Sequence, residues 1–228
     1  MAWHAATGEA RGIHPHGGLS MGGDEKSRAL PGSRCDAESM NAPTTPGSQT
    51  ALIVIDVQKG FEDAQWGPRN NPAADENIEL LTGRWAETGQ PIVVVRHNSA
   101  SPTSPLHPDN DGNAFKDYIE AVEPALLVTK SVNSAFFGEP SLDDWLAASD
   151  IARVAIVGIQ TNMCCETTAR MAGNLGYEVL FVADATHTFD LAGPDGAVLT
   201  ADQLTTATVT NLHGGGFATV VTTAELLG

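Results

Sequence analysis

Short runs of apolar, mostly β-branched residues alternate along the chain with segments whose apolar positions recur at helical spacing. Continuous apolar runs are typical of strands that are buried on both faces of a parallel sheet. These runs predict strands over Ala51–Asp56, Ile92–Arg96, Ala125–Thr129, Val154–Gly158, Glu178–Ala183 and Ala218–Val221. The helical patterns between them cover Ala74–Thr88, Leu142–Ala148, Cys164–Leu175 and Ala201–Leu212. This order predicts an α/β fold, a three-layer, doubly wound, mostly parallel six-stranded sheet with helices on both faces.

The first 49 residues lack both periodicities. They are rich in Gly, Pro, Ser and Ala. Such a segment cannot bury enough apolar surface to offset the entropy lost on ordering. The sequence therefore predicts a disordered N-terminal extension over residues 1–49 and one folded domain over residues 50–228.

The charge balance narrows the classes of partner. Twelve Lys and Arg against 28 Asp and Glu give a formal net charge of −16. Nucleic acids and anionic membranes favour clustered basic residues. We therefore expect a small-molecule substrate, and neither a nucleic acid nor a membrane as a partner. Three cysteines, two of them adjacent, make a poor disulfide framework and favour a reducing, cytoplasmic location.

Three reactive side chains stand at the ends of three predicted strands. Asp56 closes the first strand, Lys130 follows the third and Cys164 follows the fourth. Because ligands of parallel α/β sheets bind beyond the carboxyl ends of the strands, we expect these side chains at one edge of the sheet. An acid, a cation and a thiol together are typical of an activated nucleophile. Taken singly, Asp56 also fits a helix cap, and Lys130 a solvated strand end.

Two adjacent cysteines stand where the fourth strand passes into a helix. A thiol at a helix N-terminus faces unpaired N–H groups, which can lower its pKa from about 8.5 to about 3.5–7.5. Cys165 is in register with Ala169 and Ala172, which are expected to face the sheet. The spacing therefore favours Cys164 as the nucleophile and Cys165 as a core residue, although it leaves the reverse assignment open.

Three segments together resemble the isochorismatase-like cysteine hydrolase superfamily. They are Ile-Val-Ile-Asp56-Val-Gln, Lys130-Ser-Val-Asn-Ser-Ala-Phe and Gly158-Ile-Gln-Thr-Asn-Met-Cys164-Cys165-Glu-Thr-Thr-Ala-Arg. The resemblance covers roughly residues 50–224. It implies a catalytic triad of Asp56, Lys130 and Cys164, because the family's nucleophile has Thr-Ala a few residues later, as Thr168-Ala169 stands here. It also implies a homo-oligomer. The superfamily includes nicotinamidase-related amidases and streptothricin-hydrolase-like enzymes.

The resemblance further implies a cis peptide bond at Ile159–Gln160. The backbone N–H groups of Gln160 and Cys164 would then form an oxyanion hole. Nicotinamidases of this superfamily carry a metal site with an aspartate two residues before a histidine. Because Val95 stands two residues before His97, that aspartate is missing and we expect neither a metal nor another cofactor. His107 is expected at the surface.

The expected function is a cysteine-dependent amidohydrolase that cleaves a C–N bond, in an amide or lactam of a small molecule, through a thioester. Two alternatives stay open: ether hydrolysis of the isochorismatase type, and a non-catalytic thiol protein that senses redox state or binds a ligand on the same scaffold. Six loop residues near the strand ends are candidates for shaping the pocket, although each also fits a packing role: Phe61, Trp66, His97, Phe136, His187 and Phe189.

Overall fold

A computed structural model describes residues 49–228. The main sheet contains Thr50–Ile55 (β1), Ile92–His97 (β2), Leu126–Lys130 (β3), Arg153–Ile159 (β4), Glu178–His187 (β5) and Thr219–Val221 (β8). Its strands lie in the order β3-β2-β1-β4-β5-β8, and every neighbouring pair is parallel. The reversal of strand order on either side of β1 is the doubly wound arrangement that the alternating pattern predicted.

Helices cover both faces of this sheet. They are Ala74–Thr88 (α1), Asp117–Glu120 (α2), Leu142–Ala148 (α3), Glu166–Leu175 (α4), Ala201–Gly214 (α5) and Thr223–Leu227 (α6). Leu52 and Val54 of β1 pack with residues of α1, α2 and α6. Ile53 and Ile55 point the other way and pack with residues of α3, α4 and α5. Both faces of β1 are therefore buried, and the predicted three-layer α/β fold is confirmed.

Several boundaries differ from the predicted ones for local reasons. The first strand ends at Ile55 because Asp56 has a left-handed φ of 53°. The fourth helix begins at Glu166, because Thr161–Cys165 form a π-helical turn ahead of it. The fifth strand is longer than predicted and runs to His187.

Some short elements were not predicted at all. Leu191–Ala192 (β6) and Val198–Leu199 (β7) form an antiparallel hairpin between β5 and α5. Two-residue strands and the four- and five-residue helices α2 and α6 are too short to show a period.

The predicted N-terminal extension, apart from Gln49, lies outside the described residues. Its extent and disorder stay predictions. No helix within residues 49–228 is long and apolar enough to cross a membrane.

Candidate active site

Five neighbouring strands carry candidate residues at their carboxyl ends. In sheet order, β3 ends at Lys130, β2 ends at His97, and Asp56 follows β1. Gln160 follows β4, and β5 ends at His187. The topology therefore brings residues that are far apart in the sequence to one edge of the sheet.

The ammonium of Lys130 lies between the other two members of the predicted triad. Its Nζ donates to Asp56 Oδ2 at 2.6 Å and to Cys164 Sγ at 3.3 Å. The side chains of Lys130 and Asp56 are both fully buried. Because a buried charge is costly unless it is paired, each of these two groups requires the other.

Asp56 is held in an uncommon backbone conformation. Its φ of 53° lies in the left-handed region, which Asp tolerates better than most residues other than Gly. The Asp56 N–H donates to the carbonyl of Val95 at 2.9 Å, which ties this turn to β2. Its Oδ1 atom is buried and has no hydrogen-bond partner within residues 49–228. One carboxylate oxygen thus holds Lys130 and the other is available for a proton.

The two cysteines occupy different environments. Cys165 is fully buried and packs with Ala169 and Ala172 in the core beneath the sheet. Cys164 is 7% exposed, and its sulphur faces Lys130 and, at 3.9 Å, Asn133 Oδ1. The spacing along the helix had favoured these two positions, and the structure places both thiols accordingly. The catalytic role of Cys164 stays a prediction.

The resting ionisation of Cys164 differs from the expected one. Burial and the negative charge of Asp56 raise the pKa of this thiol, and together they outweigh the opposing effect of Lys130. The helix N-terminus was expected to lower it. That expectation was wrong because the sulphur is almost completely removed from solvent and lies beside a carboxylate. Burial disfavours the ammonium of Lys130, but its contacts with Asp56 and Cys164 outweigh burial and raise the pKa of Lys130. At rest the ammonium of Lys130 therefore lies beside a neutral thiol.

His97 completes the contacts of this ammonium. Its Nδ1 lies 3.2 Å from Lys130 Nζ, and burial is the main reason why the pKa of His97 is lowered. The backbone of His97 is held by Gln58, whose Oε1 accepts from the His97 N–H at 2.8 Å and whose Nε2 donates to the His97 carbonyl at 3.1 Å. His97, predicted as a pocket residue, therefore contacts the centre of the triad.

Three of the predicted pocket aromatics form one cluster. The ring centroid of Trp66 lies 5.2 Å from that of Phe61 and 5.6 Å from that of Phe189. Ile159, which precedes Gln160, packs against the same cluster. Phe61 and Phe189 also line an open cleft of about 480 Å³. Asp56, Lys130 and Cys164 do not line that cleft.

His187 lies edge-on to Phe189, with ring centroids 5.5 Å apart. It is 1% exposed, and neither ring nitrogen has a partner within the described part of the chain. Burial and the nearby charges of Arg69 and Lys116 lower the pKa of His187 to about 3, so its ring is neutral at physiological pH.

Two predicted residues lie apart from the aromatic cluster. Phe136 is tilted by 31° against Tyr177, with ring centroids 5.9 Å apart, and packs on the core that contains Cys164. His107 is partly exposed, and its Nδ1 accepts from the Asp109 N–H at 3.2 Å.

The turn that leads to Cys164 has the predicted backbone. The Ile159–Gln160 peptide bond is cis. The N–H groups of Met163 and Cys165 both donate to the carbonyl of Gln160, at 3.2 Å each. The proposed use of the Gln160 and Cys164 N–H groups as an oxyanion hole stays a prediction.

Two residues near the site were not singled out from the sequence. Asn133 faces the sulphur of Cys164, and Gln58 is fully buried while holding the end of β2. Both stand within the quoted motifs. Asn133 is three residues after Lys130, and Gln58 is two residues after Asp56. A buried glutamine is rarely tolerated without several partners, but its partners are invisible until the strands are paired.

Several known proteins are similar to this chain in sequence. The isochorismatase domain family matches residues 50–214. An uncharacterized isochorismatase family protein of Bacillus subtilis, YrdC, is 38% identical over 78% of this chain and 94% of its own length. Nicotinamidase 3 of Arabidopsis thaliana is 32% identical over 75% of this chain and 83% of its own length. A streptothricin hydrolase of Streptomyces noursei is 31% identical over 64% of this chain and 52% of its own length.

The fold has solved counterparts. The crystal structure of an isochorismatase-family protein from Chromobacterium violaceum superimposes with a TM-score of 0.75 and 34% sequence identity. The match covers 82% of this chain and 97% of that structure.

Proposed function

The chain belongs to the isochorismatase family, whose members are hydrolases, and on that premise we propose that it cleaves a C–N bond in a small amide or lactam with Cys164 as the nucleophile. The names of two relatives, a nicotinamidase and a streptothricin hydrolase, support amide chemistry. The observation that carries the proposal is the buried contact of one ammonium with both a carboxylate and a thiol.

The proposed reaction begins with the neutral thiol. As the sulphur attacks the substrate carbonyl, its proton passes to the free Oδ1 of Asp56. Lys130 donates to both groups and stabilises the negative charge as it moves from carboxylate to sulphur. A raised thiol pKa is compatible with this order of events, because proton transfer and attack occur together and no standing thiolate is needed.

The remaining steps use the same groups. The N–H groups of Gln160 and Cys164 would hold the oxyanion of the tetrahedral intermediate, and losing one such donor typically costs about 10²–10³ in rate. Asp56 then returns its proton to the leaving amine, which breaks the C–N bond and leaves a thioester on Cys164. Water, deprotonated by the same carboxylate, cleaves the thioester and restores the thiol.

Substrate recognition is assigned to the cluster of Phe61, Trp66 and Phe189 with His187. These rings supply flat apolar surface, and the two ring nitrogens of the buried His187 have no partner within residues 49–228. A small flat molecule with one or two polar groups would suit this combination. We also propose a cytoplasmic homo-oligomer.

The test compares Cys164→Ala with Cys165→Ala on a panel of nicotinamide, simple aryl amides and lactams. Removing the nucleophile should lower turnover by about 10⁴-fold or more, whereas Cys165→Ala should keep turnover of the wild-type order. Mass spectrometry of the quenched wild-type protein should find an acyl group on the peptide that contains Cys164. Undiminished amide turnover by Cys164→Ala would refute the proposal.

The same proteins separate the alternatives. An ether hydrolase should turn over a vinyl ether substrate, and thiol alkylation of the protein should not inhibit that turnover. A redox sensor should show reversible oxidation of Cys164 by peroxide with a change in ligand binding, and no turnover of any amide.

A further inference from the structure

The side chains around Lys130 are those of a metal site. Asp56, His97 and Cys164 each offer a ligand atom, and these three atoms all lie within 4.8 Å of one another. Carboxylate, imidazole and thiolate are the common ligands of Zn²⁺ in proteins. Within residues 49–228, no other group of three or more His, Cys, Asp or Glu side chains has this spacing.

The position that a metal ion would occupy is taken by a cation of the chain itself. Lys130 Nζ lies 2.6 Å from Asp56 Oδ2, 3.2 Å from His97 Nδ1 and 3.3 Å from Cys164 Sγ. A lysine ammonium has three N–H donors, one for each of these atoms when His97 Nδ1 is the unprotonated ring nitrogen. Bonds to Zn²⁺ measure about 2.0–2.3 Å, so the three ligands would need to close in on an ion at the Nζ position by about 0.4–1.2 Å.

We propose that Lys130 is a tethered cation that keeps thiophilic divalent metals out of an Asp56–His97–Cys164 ligand set. The charge of a metal ion and that of the ammonium cannot share this buried space, because both would compete for the same carboxylate. A metal would bind the sulphur as thiolate, releasing the thiol proton to solvent, and would leave no free nucleophile. Lys130 would thus protect the thiol as well as assist its chemistry.

This inference concerns the same side chains as the proposed hydrolysis, but it does not rest on turnover. Its readouts are metal binding and thiol accessibility. An inactive protein that fulfils them would contradict only the proposed function, and an active hydrolase that fails them would contradict only this inference.

The main experiment titrates the full-length chain with Co²⁺ and follows the thiolate-to-cobalt charge-transfer absorption. Lys130→Met removes the charge and keeps most of the side-chain length. We expect it to bind one Co²⁺ about 10- to 1000-fold more tightly than the wild-type chain, the factor by which one neighbouring charge shifts a protonation equilibrium. Lys130→Arg, which keeps the charge, should bind no better than the wild type.

The full chain carries other side chains of metal-binding type, at Cys35, His4, His14 and His16. The double variant Lys130→Met with Cys164→Ser keeps all four and should lose the new absorption. Equal binding by the wild type and by Lys130→Met would overturn the proposal. Absence of the new absorption in Lys130→Met with wild-type circular dichroism would overturn it equally.

One arm needs no variant and so does not depend on the folding of Lys130→Met. The wild-type chain is treated with iodoacetamide with and without Zn²⁺, and alkylation of the Cys164 peptide is followed by mass spectrometry. The rate should be the same in both samples. Protection of Cys164 by Zn²⁺ would show that Lys130 does not exclude the metal.

Discussion

Cys164 carries its proton at rest because burial and one of its two charged neighbours together outweigh the other. Burial and Asp56 raise the pKa of the thiol, while Lys130 lowers it. The two nearest charges therefore have opposite effects on the pKa of a thiol that has almost no access to solvent.

Asp56→Asn should slow turnover and yet make the thiol more reactive. The substitution removes the charge that, after burial, raises the pKa of Cys164, and it leaves Lys130 to lower this pKa. Turnover should fall by about 10²–10⁴-fold, since a general base is lost. The pH dependence of iodoacetamide labelling at Cys164, resolved by mass spectrometry from Cys35 and Cys165, should shift to lower pH. A shift to higher pH would contradict the assigned electrostatics, whatever happens to turnover.

His187 is a buried side chain whose polar atoms contribute no hydrogen bond within the described residues. Replacing it by leucine, which is apolar and of similar size, should raise the free energy of unfolding by about 1 kcal/mol. Urea unfolding would measure the change. Its neighbour Thr186 provides the control, because its hydroxyl pairs with that of Thr161 at 2.9 Å. Thr186→Val should lower the free energy of unfolding by a similar amount, and a loss of stability in His187→Leu would show that the ring nitrogens are satisfied.

At the scale of elements, the end of β4 positions the turn that carries Cys164. Gly158 has a φ of 127°, and it pairs with Ile55, the residue before Asp56. A Cβ atom on Gly158 would overlap the carbonyl oxygen of Ile55. The ladder between β4 and β5 also changes register between Ile156 and Gly158. The two strands that supply the proposed base and nucleophile thus approach each other at a glycine.

Gly158→Ala should therefore damage both stability and activity. The left-handed φ and the overlap together should cost at least about 2 kcal/mol of unfolding free energy, measured by urea denaturation. Gly83, inside α1 with open space around its Cα, is the matched control. Gly83→Ala should stabilise the chain by about 0.5–1 kcal/mol, because alanine favours a helix over glycine. Unchanged stability and activity of Gly158→Ala would contradict this account of the close approach of β1 and β4.

Elements with a sustained pattern were predictable, and elements defined by a partner were not. The helices over 74–88 and 142–148 were predicted to the residue. Gly89 ends the first in a left-handed conformation, and the Ser141 side chain caps the start of the second. The π-helical turn before α4 and the hairpin of β6 and β7 depend on contacts that no period encodes. The placement of Asp56, Lys130 and Cys164 at the strand ends followed from the topology. The protonated resting state of Cys164 did not, because the burial of its thiol depends on segments that are distant in the sequence. The hydrogen bonds between the Gln58 side chain and the end of β2 were not predicted, for the same reason.

At the scale of the whole molecule, one ionic network ties helix α1 to the loops beside the aromatic cleft. Asp75 accepts from Arg69 at 2.7 Å, from Lys116 at 2.9 Å and from the hydroxyl of Tyr118 at 2.7 Å. Burial disfavours the carboxylate, but these donors outweigh it and lower the pKa of Asp75 to about 2. Lys116 is itself 6% exposed, so it depends on this partner.

Asp75→Asn should destabilise the chain by about 2 kcal/mol at neutral pH, as the lowered pKa implies. A depressed folded-state pKa gives stability that is present above the ordinary pKa of about 3.8 and is lost as the pH falls towards 2. The difference between variant and wild type should therefore persist from pH 7 to about pH 4 and shrink below it. Urea titrations at three pH values would measure it. A difference that grows on acidification would refute the assignment.

The homo-oligomer stays a prediction at this scale. Sedimentation of the full chain at several concentrations would test it directly.

Lys130 is the last residue of β3, which forms one edge of the sheet and pairs with β2 alone among the strands. On the outer side of β3, the backbone of Thr129 forms two hydrogen bonds of 2.8 Å with that of Glu139. Edge strands fray at lower temperature than the centre of a sheet. Warming should therefore withdraw the ammonium while β1 and β4 remain paired, so heat inactivation would precede global melting and reverse on cooling.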